Sequence, residues 1–233
     1  MAKDTSNSTR RLDPTEPLPP EAAEFARKLH GMLNGEPKDE AAVRKTMEGM
    51  EGMFDLIAAG LYSLASMLVG EGEDSIRLVE AAVRNAEVSA CTDPEQARID
   101  SRRALAIAAL DLVAGRNPGS LAVPEAVDHA ATCIEEDDLS AAGVSREELE
   151  RLLADPGRGQ FRIWLESLPT VMRTVFVLRG VAAFSANESA ALLAAHGGAG
   201  ASGWSAEAVR EAFRQALCSL ASQMIQAGAS HRE

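Results

Sequence analysis

The stretch that decides the fold is LPTVMRTVFVLR at residues 168–179, followed by FSANESAALL at 184–193 and WSAEAVREAFRQALCSL at 204–220. Each segment carries apolar residues at helical spacing, and each begins with a residue that starts helices, either a proline or a serine that can cap the first turn. Ser185 with Glu188 three positions later has the pattern of a capping box. A short helix, a second capped short helix, a turn and a long helix together predict a helix-turn-helix.

The composition of the whole chain is typical of a helical protein. Hydrophobic residues make up 46% of the 233 residues but aromatic residues only 4%. Unbranched side chains lose little freedom in a helix, and the β-branched and aromatic residues that favour strands are scarce. The predicted fold class is all-α, with two small helical domains joined by an acidic linker, and the C-terminal domain is the helix-turn-helix.

Four segments are predicted from the breaks in the helical pattern. Residues 1–45 are expected to form a disordered tail plus a short helix, and residues 46–115 a helical domain. Residues 116–159 are expected to form a poorly packed acidic linker with short helices, because Asn-Pro-Gly and Asp-Pro-Gly sequences interrupt the chain near its two ends. Residues 160–228 are expected to form the helix-turn-helix domain.

The first predicted domain contains a long apolar helix over residues 50–69 and a second helix over residues 75–88. Asp74 is a plausible N-cap for it. Ile76, Val79 and Val83 fall at helical spacing, so we expect them to lie on one face of this helix.

The three cysteines indicate the redox compartment. Cys91, Cys133 and Cys218 lie far apart and match no metal-ligand spacing, so we expect free thiols in a reducing compartment. The N-terminus lacks the apolar core of a signal peptide, and no apolar run approaches the ~20 residues that span a membrane. These features predict a cytoplasmic protein that does not associate with a membrane.

Charge is distributed unevenly along a chain whose formal net charge is −12. Residues 46–115 carry 5 basic and 12 acidic residues, and residues 116–159 carry 4 and 10. The acidic run at 135–138 is expected to be a solvated surface. Residues 160–233 carry 6 basic and 5 acidic residues, so this is the one segment that would not repel nucleic acid on average.

The C-terminal motif resembles region 4 of sigma-70-type factors of the extracytoplasmic-function group. Leucine-proline, arginine, valine-phenylalanine and leucine-arginine follow one another through 168–179, and serine, glutamate, alanine and a double leucine continue the pattern through 184–193. Valine, a basic residue, alanine and leucine then fall where that family's recognition helix keeps them. The matching positions are Val209, Arg210, Ala216 and Leu220.

This resemblance implies a surface that reads duplex promoter DNA. In helix-turn-helix proteins the N-terminal part of the recognition helix enters the major groove. The implied DNA contacts are Ser205, Arg210 and Arg214. The two arginines are four residues apart and share a helix face, from which they can contact phosphate or guanine.

The upstream half is similar to region 2 of the same family. There, a helix that ends in glycine precedes an acidic helix that docks on the clamp of RNA polymerase core. By this resemblance Asp74, Leu78 and Glu80 are the implied polymerase contacts. Residues 103–114 are nearly all alanine, leucine and isoleucine, where the family keeps a tryptophan and basic residues for melting DNA. The net negative charge of 46–115 therefore argues against conventional strand melting.

The turn before the recognition helix is longer than in the family pattern. Residues 197–203 add glycine, alanine and serine, and we expect them to be flexible. Trp204 follows directly, and we expect it to pin the helix to the core rather than to wedge between bases.

No catalytic or metal-binding arrangement is predicted. His30, His129, His196 and His231 are scattered, and His196 is expected to be solvent-exposed. The glycine-rich stretch after it lacks the preceding strand and the lysine-serine/threonine ending of a phosphate loop. We therefore expect a protein that is not an enzyme and needs no cofactor or metal.

Three functions follow from these features, and the first two belong to different classes. The leading interpretation is a sigma-factor-like transcription initiation regulator that binds RNA polymerase and promoter DNA. The alternative is a sigma mimic that sequesters an anti-sigma factor without binding DNA, which the acidic charge favours. The third is a structural helical protein with a relic motif. DNA binding together with polymerase would support the first, and a tight complex with a small anti-sigma protein the second.

Overall fold

The structure is a computed structural model that describes residues 58–84, 93–124, 133–145, 147–149 and 158–230. All regular structure in these ranges is helical, which confirms the all-α class. Within them, no helix combines the length and apolarity that a membrane crossing requires. Residues 58–69 are helical, and the further elements are α1, Glu73–Arg84; α2, Pro94–Arg116; a 3₁₀ turn, Leu139–Ala142; α3, Arg158–Ser167; α4, Thr170–Phe176; a π-helical turn, Val177–Val181; α5, Ala186–His196; and α6, Ala206–Ser230.

The chain divides into two compact units along the sequence. One comprises residues 1–57 and 86–100, and the other comprises 58–85 and 101–233. The prediction of a tail and a short helix over 1–45 lies outside the described residues. The second unit takes in helices from both predicted domains, so independent folding of the two stays a prediction.

Phe176 lies at the centre of the C-terminal core, where it is fully buried. Its ring centroid is 5.0 Å from that of Trp164, 5.8 Å from Phe213 and 6.0 Å from Phe161. Tilted and edge-on ring pairs at such distances are stabilising beyond their buried area. The Trp164 indole N–H donates to the Ser219 hydroxyl at 3.0 Å, which satisfies its polar atom. The cluster therefore ties α3, α4 and α6 together.

The end of α4 widens into a π-helical turn before the chain reverses. Ala182 N–H donates to the Val177 carbonyl at 2.8 Å, and Phe184 N–H donates to the Leu178 carbonyl at 3.0 Å. Ala183 then adopts φ 62°, in the left-handed region that residues other than glycine seldom occupy. The sequence predicted one helix from Pro169 through about Val181, and the widened last turn is the difference.

The predicted capping box is present at the start of α5. The Ser185 hydroxyl accepts from Glu188 N–H at 3.2 Å, and the Glu188 carboxylate accepts from Ser185 N–H at 2.9 Å. These bonds satisfy backbone donors that a helix start leaves free. The helix then packs on α6, with Ala190, Leu192 and Leu193 buried.

The buried face of α1 is not the one that carries Ile76 and Val83. Its buried residues are Ser75, Leu78 and Ala82, whereas Ile76 is 50% exposed and Val83 is 46% exposed. The helix also begins one residue before Asp74, which is therefore inside it rather than its N-cap.

The described part of the acidic linker is packed, contrary to the expectation of a loose connection. Leu121 and Val144 are fully buried, and Leu149 is almost so. The Asp138 side chain caps the 3₁₀ turn by accepting from Ser140 N–H at 2.8 Å. Apolar residues at wide intervals thus anchor a segment whose composition is that of a solvated linker.

Two of the cysteines are joined, so the expectation of free thiols is wrong for them. Cys133 and Cys218 form a disulfide with a Cα–Cα distance of 5.6 Å. Their separation of 85 residues explains why local spacing gave no sign of the pair. The third cysteine, Cys91, lies outside the described residues.

Candidate nucleic-acid interface

The N-terminus of α6 is held in place by two adjacent residues. The Ser205 hydroxyl accepts from Ala208 N–H at 3.2 Å, which confirms it as the cap of the predicted long helix. Trp204 is 6% exposed, and its indole N–H donates to the Leu121 carbonyl at 2.8 Å. The tryptophan is therefore a packing anchor, as predicted. Ser205 is exposed, and its hydroxyl carries an O–H donor besides the lone pair that accepts in the cap.

The long turn before α6 is packed against the end of α2 and the residues after it. Gly198 and Gly200 adopt φ 74° and 79°. A Cβ on Gly198 would meet Ala114 Cβ at 2.9 Å, and one on Gly200 would meet Ala122 Cβ at 2.8 Å. Val123 N–H also donates to the Gly200 carbonyl at 3.2 Å. The expectation of a flexible turn is wrong, because the glycines permit a close backbone approach.

His196, at the end of α5, belongs to the same contact region. Its Nδ1 lies 3.1 Å from Asp111 Oδ1, and its side chain is 29% exposed. It is thus half-buried against α2 and not simply a surface histidine.

Arg210, predicted to contact DNA, lies in the second turn of α6 and is 40% exposed. Its Nη1 donates to Glu207 Oε2 at 3.1 Å. Its Nε is 3.7 Å from Asp137 Oδ2, a carboxylate from the linker. The guanidinium therefore faces acidic groups from two segments.

Arg214, the second predicted contact, is more enclosed, with 19% of its side chain exposed. Its Nη2 lies 2.9 Å from both Glu207 Oε1 and Glu211 Oε2. Its Nη1 donates to the Glu135 carbonyl at 3.0 Å. Both predicted arginines are thus brought together on one face, and both are paired with acceptors of this chain.

The acceptors from the linker belong to residues 135–138, which we call the acidic strip. Residues 135, 136 and 138 are exposed, in line with the predicted solvated surface, while Asp137 and the Glu135 carbonyl contact α6. Arg179 adds a further contact, because its Nη2 donates to Asp137 Oδ2 at 2.9 Å and to the Asp137 carbonyl at 3.2 Å. The Arg179 guanidinium also lies over the Phe213 ring, 5.3 Å from its centroid. Arg179 was not among the predicted site residues, because its contact joins two residues that are 42 positions apart in the sequence.

The pairing affects the acid-base behaviour of the helix start. Hydrogen bonds from Arg210 and then from Arg214 hold the pKa of Glu207 below its ordinary value. Glu207 therefore stays ionised at neutral pH and competes with any phosphate for both guanidinium groups. In the arrangement described, this face of α6 is neutralised rather than basic.

The three predicted polymerase contacts on α1 are not brought to one surface. Asp74 Oδ2 accepts from Arg116 at 2.6 Å, Leu78 is buried at 7% exposure, and Glu80 is exposed. Two exposed apolar residues, Ile76 and Val83, lie beside Glu80 on this helix.

In the described ranges, no cluster of three or more histidine, cysteine or acidic side chains is placed to hold a metal ion. A cavity of about 150 Å³ lies between residues 63–70 and α3. Arg173, Ser63 and Ser66 are among the residues that line it. The Ser66 hydroxyl donates to the Ser63 carbonyl at 2.9 Å.

Models of protein families, curated proteins and solved structures each yield no match to this chain. The resemblance to sigma factors therefore rests on the residues and the helix arrangement alone.

Proposed function

We propose that this protein is a sigma-factor-like regulator of transcription initiation, which binds RNA polymerase core and promoter DNA in the cytoplasm. The arrangement of α4, α5 and α6 supports this proposal. The short helix α4 and the capped short helix α5 each pack on the capped long helix α6. This order and packing support a helix-turn-helix.

The DNA contacts of this proposal are Ser205, Arg210 and Arg214. The arginines lie in the first turns of α6, the part that enters the major groove in this motif. Two guanidinium groups four residues apart can span adjacent phosphates or a phosphate and a guanine edge. Their present pairing with carboxylates means that DNA must displace those partners.

The polymerase contact of this proposal is the exposed side of α1. Ile76 and Val83 lie seven residues apart, so they share a face of the helix. Their exposure and that of nearby Glu80 give an apolar patch with an acidic edge. Such a patch suits a protein partner better than a nucleic acid, because it offers phosphate no counter-charge.

One observation favours the second function, a sigma mimic that sequesters an anti-sigma factor. The cations on α6 are neutralised by Glu207, Glu211 and the acidic strip. A surface of this kind keeps the shape of a DNA-reading helix while resisting DNA itself. An anti-sigma factor that recognises the shape would still bind it.

The test uses the purified full-length chain with purified RNA polymerase core in a titration of binding. We expect a stable complex that an authentic sigma factor displaces, because both would occupy the clamp. Ile76→Asp with Val83→Asp should weaken the complex, whereas Arg77→Asp, an equally exposed change on the same helix, should weaken it less. Failure to bind core, together with capture of a small anti-sigma protein, would support the mimic instead.

A further inference from the structure

We infer that the Cys133–Cys218 disulfide is a redox lock, which holds the acidic strip over Arg210 and Arg214 until a dithiol reduces it. This inference rests on the proposed function, since it assigns those arginines to DNA. The strip would occupy the DNA-reading face in the oxidised protein and leave it in the reduced protein.

The contacts between residues 133–137 and α6 follow one another in register along the helix. Arg210, Arg214 and Cys218 are spaced by four residues, so they form one stripe along α6. Their partners run the opposite way: Asp137 faces Arg210, the Glu135 carbonyl faces Arg214, and the third pair is the disulfide. Four helical residues rise about 6 Å and two residues of chain reach at most about 7 Å. The segment therefore tracks the helix face over its whole length.

The non-covalent contacts that join the strip to Arg210 and Arg214 are individually weak. Arg210 is 40% exposed and 3.7 Å from Asp137, and exposed ion pairs of this kind contribute little to stability. The backbone acceptor on Arg214 adds a single hydrogen bond. Arg179 holds Asp137 more firmly, at 2.9 Å to Oδ2 and 3.2 Å to the carbonyl, but the contacts to Arg210 and Arg214 themselves can yield to the multiple charges of a DNA backbone. The disulfide two residues before Glu135 adds to the packing of the 3₁₀ turn on α6, so the strip is tethered to the helix at both ends and stays at high effective concentration.

The disulfide can be reduced by thiol–disulfide exchange that begins at Cys133. Cys133 is exposed, whereas Cys218 is 7% exposed, so a thiolate reaches the Cys133 sulfur first. Its attack forms a mixed disulfide with Cys133 and breaks the bond to Cys218, which leaves as a thiolate and takes up a proton. The second thiol of the dithiol then displaces Cys133, which is protonated in turn. The dithiol becomes a disulfide, and the protein gains two electrons and two protons.

The consequence is a protein whose DNA-reading face responds to oxidation. In a reducing compartment the pair would be open and α6 available. Under oxidation the disulfide would form, the strip would settle on the arginines, and DNA binding would fall. Phosphate and the strip compete for the same guanidinium groups, so the two states exclude each other.

The experiment measures binding of a fluorescent mixed-sequence duplex to the full-length protein, oxidised and after reduction with dithiothreitol. The reduced protein should bind more tightly, with a log–log salt slope near about −2 from two phosphate contacts. The oxidised protein should show a slope near zero. Cys133→Ser with Cys218→Ser should bind as the reduced protein does under both conditions, and Arg210→Ala with Arg214→Ala should remove the gain.

A matched pair of variants tests the strip itself in the oxidised protein. Asp137→Asn removes the carboxylate that faces Arg210 and Arg179, and should increase DNA binding without reduction. Glu136→Gln removes the same charge from an exposed neighbour that makes none of the described contacts to these arginines, and should change little. An equal effect of both variants would overturn the specific contact and leave only a general effect of charge.

Hydrogen exchange at the amides of 135–138 separates this inference from the proposed function. We expect faster exchange after reduction in the natural sequence and no response to dithiothreitol in the double serine variant. Unchanged exchange in the natural sequence would overturn the lock, whether or not DNA binds. Faster exchange without any DNA binding would overturn the role assigned to α6 in DNA reading, and with it the consequence drawn here.

Discussion

At the scale of single residues, the core formed by α4, α5 and α6 is where sequence and structure agree most closely. Leu178 is fully buried and Leu192 is 7% exposed, as their positions on apolar helix faces predict. Ser185 and Glu188 make both bonds of the capping box. These features depend on neighbours within four residues, so local spacing is enough to identify them.

Leu178→Ala and Leu192→Ala should each lower the free energy of unfolding by about 2–5 kcal/mol, the range for emptied core sites. The loss at Leu178 should be the larger, because that side chain has no exposed surface. Ile163→Ala is the control, since Ile163 is 64% exposed and should cost no more than about 0.5 kcal/mol. Urea titrations in which neither leucine variant differs from the natural protein would show that the core lies elsewhere.

Removal of the helix cap should be measurable through both members of the box. Ser185→Ala should cost about 1 kcal/mol of unfolding free energy, the usual effect of losing an N-cap hydroxyl. Asn187→Ala serves as the control, because this exposed side chain lies in the same turn. Equal stability of the two variants would contradict the cap as a stabilising element.

The charge of Glu188 should make that stability depend on pH. Bonds from Ser185, first through its backbone N–H, lower the pKa of Glu188 from its ordinary value of 4.5. Its contribution is therefore full above that value and is lost as the pH falls through the lowered pKa. The difference in unfolding free energy between the natural protein and Glu188→Gln should be present at pH 7 and vanish in strong acid. A difference that grows on acidification would reverse the assignment.

At the scale of elements, what decides the site is non-local and was not predictable from spacing. The sequence indicated the starts of α5 and α6 correctly because caps are local signals. It did not indicate the buried face of α1, where Leu78 is buried between the small residues Ser75 and Ala82. The acidic strip was missed because its register on α6 depends on contacts about 80 residues apart in sequence.

The glycine-rich turn gives a prediction at this scale. Gly198→Ala should lower stability by about 1–2 kcal/mol, the cost of the left-handed conformation for a residue with a Cβ, and by more if Ala114 cannot shift. Gly115→Ala is the matched control, because a Cβ there meets no atom within 4 Å and alanine favours the helix. A Gly198→Ala protein as stable as the natural one would show that the turn is not docked on α2.

At the scale of the whole molecule, helices from both predicted domains lie in one compact unit. Trp204 bonds to Leu121 at 2.8 Å, and Arg103 lies 3.3 Å from Glu188. The sequence predicted a break at the linker because acidic residues, proline and glycine are concentrated there. Widely spaced apolar residues such as Val144, which anchor it, leave no periodic pattern.

Hydrogen exchange can decide whether these halves open together. We expect amides in residues 101–116 of α2 and in α6 to exchange with the same opening free energy, because the turn and Trp204 join them. Exchange of α2 at a markedly lower opening free energy, with α6 still protected, would restore the picture of independent domains.

The central claim is that this chain takes RNA polymerase to particular DNA sequences through α6. The most direct measurement incubates the reduced full-length protein and polymerase core with sheared genomic DNA, then sequences the retained fragments. We predict discrete fragments that share a sequence element, and loss of that enrichment in Arg210→Ala with Arg214→Ala while core binding persists. Retention of the same fragments by core alone, or by the double arginine variant at the natural level, would contradict the claim.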